Sequence, residues 1–175
     1  MTGRVLRSLA GGGLALALLT AAPVSASAAP GTSTVVPASR VVRAAGDFTV
    51  TLDVTSIQLQ PVGTRCLLTV DGTLDFTGTL TGTAAATTRA LEDATCPEVL
   101  ANPPGTFADV FRSTGTFEGT VDGRPAEAGI RYAGRTAVGG SIDAVMVLTG
   151  GVTGALHVNA QVAVGGSYRG VLVEH

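Results

Sequence analysis

Apolar and polar residues alternate over long stretches of this chain. Phe48, Val50, Leu52 and Val54 fall at every second position, separated by Thr49, Thr51 and Asp53. A two-residue period sends successive side chains to opposite faces of an extended backbone, so the segment predicts a strand with one apolar and one wet face. The rhythm recurs downstream. Leu68, Val70, Leu74, Phe76 and Leu80 share one parity, while Thr69, Asp71, Thr73, Asp75, Thr77 and Thr79 hold the other. Gly72, Gly78 and Gly82 interrupt the apolar parity. Glycine inside a strand marks a bulge, a bend or a close backbone approach, and such bends let a sheet curl until it closes as a barrel.

After a strand over Thr83–Ala90 the pattern breaks. Glu92 to Gly105 holds Cys96, Pro97, Pro103 and Pro104, which exclude a central strand. Phe107, Phe111, Phe117 and Val121 then share a parity, Asp122-Gly123 predicts a tight turn, and a strand follows from about Ala126 to Tyr132. Further strands are expected over Ser141–Leu148, Ala155–Val164 and Ser167–Val173, with Gly150-Gly151 and Gly165-Gly166 as hairpin connections. No segment sustains a helical period. The total, about eight strands joined by short turns, suits a small closed barrel.

The first residues read as an export signal. Arg4 and Arg7 precede an apolar run from Leu9 to Leu19, and Ala26-Ser27-Ala28 offers an A-x-A cleavage pattern. The run is shorter than the roughly 20 residues of a permanent span. Cleavage would leave no stable membrane anchor and a secreted, extracellular chain. The expected organisation is a signal peptide at 1–28, a flexible leader at 29–44 with a short edge strand at Val41-Val42, and a single barrel domain at 45–175. Removing Arg4 and Arg7 takes the formal net charge from −2 to −4. All basic residues are Arg, scattered without a stripe, so nucleic-acid binding has no electrostatic support. Cys66 and Cys96 are the two cysteines, and in an oxidising compartment such a pair is expected to form a disulfide. Two Cys and two distant His lack metal-ligand spacing, so neither a metal nor a cofactor is expected.

The runs Asp71-Gly-Thr-Leu-Asp-Phe-Thr-Gly78, Gly115-Thr-Phe-Glu-Gly119 with Asp122-Gly123, and Leu148-Thr-Gly-Gly-Val-Thr-Gly-Ala-Leu156 carry a resemblance. They look like the bacterial allene-oxide-cyclase-like barrel proteins of uncharacterised function, over roughly Gly46 to Val173. The resemblance implies an all-β, eight-stranded antiparallel barrel of calycin-like shape, distantly similar to plant allene oxide cyclases, dirigent proteins and lipocalins, which carry an apolar cavity. These folds commonly associate symmetrically, which leaves a homo-oligomer open. The motifs are glycine and threonine punctuation, so no catalytic residue carries over, and a shared fold does not transfer function.

No nucleophile elbow, zinc-protease motif or phosphate loop occurs. Three constellations remain. His157, Asn159 and Gln161 share one strand face, opposite Leu156, Val158 and Ala160; the face is either a polar patch in the lumen or simply the solvent side. Asp109 shares parity with Phe107 and Phe111, so a regular strand would turn its carboxylate inward and raise its pKa, whereas a strand starting later would leave it solvated. The aromatic set Phe76, Phe111, Phe117, Tyr132 and Tyr168 would either line a ligand cavity or pack the core. Asp71 and Asp75, and the ladder Glu127, Arg131 and Arg135, read as solvent-facing. Because the remaining wall residues are mostly Val, Leu and Ala, the lumen is expected to keep room for one small ligand. Binding of a small apolar or amphipathic molecule therefore stands first, a filled barrel acting through its surface second, and an isomerase or cyclase third.

Overall fold

The computed structural model describes residues 39–175. The predicted export signal at 1–28 and the first part of the predicted leader lie outside the described residues. Eight strands follow in order: β1 (Arg40–Val62), β2 (Arg65–Gly78), β3 (Leu80–Glu92), β4 (Asp109–Val121), β5 (Arg124–Thr136), β6 (Ser141–Gly150), β7 (Val152–Gln161) and β8 (Gly165–Glu174). One short helix, α1 (Cys96–Ala101), lies between β3 and β4. Each strand pairs antiparallel with its sequence neighbour, and β8 returns to pair with β1, so the sheet closes as a ring. Among the described residues no helix is long and apolar enough to cross a membrane.

The alternation read from sequence sets the two faces. Val70, Leu74, Phe76 and Leu80 are buried inside the ring, and Asp71, Asp75 and Thr77 are exposed outside it. Glu127, Arg131 and Arg135 are likewise exposed. At the β4–β5 reversal, Asp122 and Gly123 both have positive φ, 48° and 78°, as a tight hairpin turn requires.

Three boundaries differ from expectation. β1 begins at Arg40 rather than after residue 44, because Val42 and Ala44 belong to the core and pair with Leu172 and Gly170 of β8. Val41-Val42 is thus part of the ring closure and not an edge. The β7–β8 reversal runs through Val162–Val164, with Ala163 at φ 58°, while Gly165-Gly166 already opens β8. Those glycines are needed for contact rather than for turning: a Cβ at Gly165 would strike the Phe48 carbonyl of β1, and one at Gly166 the Asn159 carbonyl of β7. Finally, the proline-rich stretch contains α1. The Thr95 N–H and hydroxyl both donate to the Glu98 carboxylate, at 2.9 and 2.6 Å, and Pro97 sits in the first turn. This is a capping-box signature, but six residues are too few to display a period.

One half of the ring is solid. Phe76 packs on Phe48, Phe117 and Tyr168 with ring centroids 5.6, 5.6 and 5.9 Å apart. Leu80, Met146, Leu148, Leu156 and Leu172 complete this core, each fully buried. Tyr168 also locks the seam. From β8 its side chain crosses β1 at Gly46, its hydroxyl accepts the Leu80 N–H at 2.8 Å and donates to the Thr77 carbonyl at 3.0 Å. Gly46 has to be glycine there, since a Cβ would collide with both the Thr77 carbonyl and the Tyr168 phenol.

Candidate functional site

The other half of the ring is hollow. It encloses a cavity of about 330 Å³, within the range of small-molecule sites. Phe48, Phe111 and Tyr132 form the aromatic wall where the solid half ends, with Phe111 and Tyr132 at 4.9 Å and edge to face. Small and aliphatic residues, among them Val50, Val70, Ala90, Ile142 and Ala160, supply the remaining wall. Their size leaves the space that longer side chains fill in the solid half.

The mouth is built from two irregular segments. β1 bulges between Asp53 and Gln58, where its register against β2 jumps. The Thr55 N–H and hydroxyl donate to the Asp53 carboxylate at 2.9 and 2.6 Å, which holds that carboxyl below its ordinary pKa. The Ser56 hydroxyl accepts the Asp71 N–H at 2.8 Å, tying the excursion to β2. Val54 still follows the parity of Phe48, Val50 and Leu52, whereas Ile57 lies beyond the parity change, and both sit exposed at the rim of the cavity. On the other side stands the α1 segment with Leu100 and Phe107. Cys96 is disulfide-bonded to Cys66 of β2, and the Gly105 carbonyl accepts the Gly139 N–H at 2.9 Å, so the segment is anchored at both ends. Val54 and Leu100 both line the cavity and are about 70 % exposed, at 70 % and 73 %, which marks the opening.

Polar groups enter this apolar space in two cross-strand rows. Near the mouth, Glu92 of β3, Asp109 of β4 and Thr136 of β5 are direct partners. Two same-face steps deeper, about 13 Å along the strands, come Thr88, Ser113 and Tyr132. The Thr88 and Ser113 hydroxyls satisfy each other at 2.7 Å. Asp109 Oδ1 and the Tyr132 hydroxyl are buried without a hydrogen-bond partner among the described residues, and both residues line the cavity. Burial pushes the Glu92 carboxyl up to about 7, with the Asp109 charge adding to the effect. Asp109 is raised by burial against a lowering hydrogen bond from Thr136. Burial also raises the Tyr132 phenol, which keeps it a neutral hydroxyl at physiological pH.

The residues proposed from sequence divide accordingly. Asp109, Phe111 and Tyr132 meet at the cavity. Asp109 opens β4 and points inward, so the solvated alternative does not hold. Phe76 and Phe117 are fully packed in the solid half and do not line the cavity, because strand parity fixes their face but not their depth. His157 is on the outer face, opposite the buried Leu156 and Val158. There its Nε2 lies 3.0 Å from Asp143 Oδ1 of β6, and its Nδ1 lies 3.3 Å from the Asn159 amide. It is thus an exposed neighbour of Asp143 and Asn159, not a lumen group. Glu92 and Thr136 were not singled out by sequence. The signal for Glu92 was present: Ala84, Ala86, Thr88 and Ala90 share its parity, and the strand simply continues for one more inward step. No protein-family model matches the chain, and no curated protein does either.

Proposed function

We propose that the protein is an exported binding module, with residues 1–28 as its signal peptide, that sequesters a small apolar or amphipathic molecule in the hollow half of the ring. In this reading the ring is the allene-oxide-cyclase-like, calycin-like barrel that the glycine-threonine motifs resemble. The carrying observation is that two buried polar atoms without partners, Asp109 Oδ1 and the Tyr132 hydroxyl, belong to residues lining the same apolar cavity. An unmet buried polar group costs about 1–3 kcal/mol, so two of them around one cavity favour a ligand that meets them. The Cys66–Cys96 disulfide is consistent with an extracellular location.

A second reading, isomerisation or cyclisation within the cavity, is favoured by one observation. Glu92 titrates at about 7, where a general acid or base is effective. Recovery of bound molecules unchanged after incubation supports the binding reading over this one.

The test is titration with the neutral fluorescent dye N-phenyl-1-naphthylamine, using protein recovered from culture medium. Saturable one-to-one binding that Ala90→Phe abolishes is expected, with an intact mass that starts at Ala29. Absence of binding, or binding undiminished by Ala90→Phe in a folded variant, contradicts the proposal.

A further inference from the structure

We propose that the ligand carries a protonated amine on an apolar body, and that its ammonium group is held at the mouth by Glu92 and Asp109. This inference rests on the binding reading above and specifies the chemistry of the occupant. Cross-strand partners facing the same way have Cβ atoms about 4.5–5.5 Å apart, so one ammonium group can reach both carboxylates. An ammonium offers three N–H donors and no acceptor, which matches a pair of acceptors.

The sign of the charge inside the cavity is uniform. Among the described residues no Arg or His lines it, and Glu92 and Asp109 are the charged groups that do. Arg89, Arg112 and Arg135, on the same three strands, are exposed on the outer face. Among the described residues the salt bridges involve Arg40, Arg65 and His157, and none involves Glu92 or Asp109. Two half-buried carboxyls facing each other without a cation repel when both are ionised. A ligand carboxylate would add a third negative charge, and an alcohol would leave the repulsion in place. A cationic amine removes it.

A second observation, deeper in the same cavity, favours an occupant. Tyr132 is 6 % exposed, lines the same cavity, and its hydroxyl has no hydrogen-bond partner. Phe111, one same-face step from Asp109 along β4, also offers a π-face that attracts a desolvated cation. A hard metal ion fits poorly, since it takes six or more oxygens and the surrounding walls are apolar. Among the described residues no third His, Cys, Asp or Glu joins the pair.

The groups that set the pH response are few. Asp109 faces Glu92 from β4, the disulfide-bonded Cys66 faces it from β2 and does not titrate, Glu98 of α1 is engaged with Thr95, and Arg65, Asp93, Arg135 and Asp143 share an outer pocket with Asp109. Binding of a cation therefore drives off the proton that the pair retains near neutrality, and affinity for amines rises with pH as long as the amine stays protonated.

The experiment is displacement of N-phenyl-1-naphthylamine by three matched probes, n-octylamine, n-octanol and n-octanoate, at pH 8. Octylamine is expected to bind at least about tenfold more tightly than octanol, as for a charge-assisted hydrogen bond, with octanoate weakest. In the Glu92→Gln, Asp109→Asn double variant the amine-to-alcohol ratio should fall to within about threefold of unity, less than half the logarithmic gap expected natively. Glu92→Gln alone should lower it partway and serves if the double variant does not fold. An amine no better than the alcohol on the native chain, or a preference that survives in the variants, overturns the inference while leaving the binding reading intact. Failure of the dye and all three probes to bind overturns both.

Discussion

Glu92 of β3 and Asp109 of β4 stand directly opposite each other, both turned into the ring at the mouth of its hollow half. Acidic partners in register, neither of them in a salt bridge among the described residues, are an unusual placement, because like charges directly opposite on a sheet destabilise it. The consequences of that pairing are measurable before any ligand is known.

The first concerns pH. Glu92 is raised from 4.5 to about 7 in the folded chain, and Asp109 shifts in the same direction. Between those values the folded state binds more protons than the unfolded state, so stability falls as pH rises. The unliganded protein should lose stability between pH 5 and pH 7.5. For a half-exposed group the loss is about 1–2 kcal/mol after allowance for solvent screening. Urea melts across that window should show the slope, and Glu92→Gln should flatten it. Constant or rising stability in the native chain contradicts the assignment.

The two tyrosines give a matched comparison. The Tyr168 hydroxyl is bonded to the Leu80 N–H and the Thr77 carbonyl, whereas the Tyr132 hydroxyl has no partner. Tyr168→Phe leaves a buried N–H unmet and should cost about 1–3 kcal/mol. Tyr132→Phe removes an unmet group and should be neutral or stabilising by up to about 1 kcal/mol. Denaturant melts of the two variants decide the matter, and equal losses would refute the distinction.

The disulfide links stability to access. Cys66 and Cys96 are 30 residues apart, and opening that loop should cost about 3–4 kcal/mol on the chain-entropy account. It also frees the N-terminal anchor of α1 at the mouth. The Cys66→Ala, Cys96→Ala variant should unfold at lower urea concentration and release bound dye faster than the native chain. An unchanged release rate, measured by stopped-flow dilution in conditions where the variant is folded, contradicts the role given to α1.

The strand rhythm was legible because period two is a local property. It assigned the faces of Leu74 and Phe76 against Asp75 as the structure has them, and it separated Leu156 and Val158 from His157 while leaving open which of those faces turns inward. Ring closure was hinted at by the inward-parity glycines, whereas the pairing of β8 with β1 joins residues too far apart in sequence for periodicity to register. Depth was not legible. Phe76, Phe111 and Phe117 share one face, but only Phe111 lines the cavity, because depth depends on the stagger between strands. The same stagger hides diagonal contacts such as Asp143 with His157 and cross-strand partners such as Glu92 with Asp109. The bulge between Asp53 and Gln58 carries a side-chain competition, Asp53 accepting from Thr55, that the alternation before it does not announce.

The central claim is that the hollow half of the ring admits an apolar molecule, and the most direct measurement is isotope-filtered NMR on the methyl-labelled protein with n-octanol. Intermolecular NOEs should run from the alkyl chain to the methyl groups of Val70, Ala90 and Ile142, with none to the exposed Val145 and Val171 of the outer face. NOEs confined to the outer valines, or saturating alcohol with no contact to the three inward methyls, would contradict it.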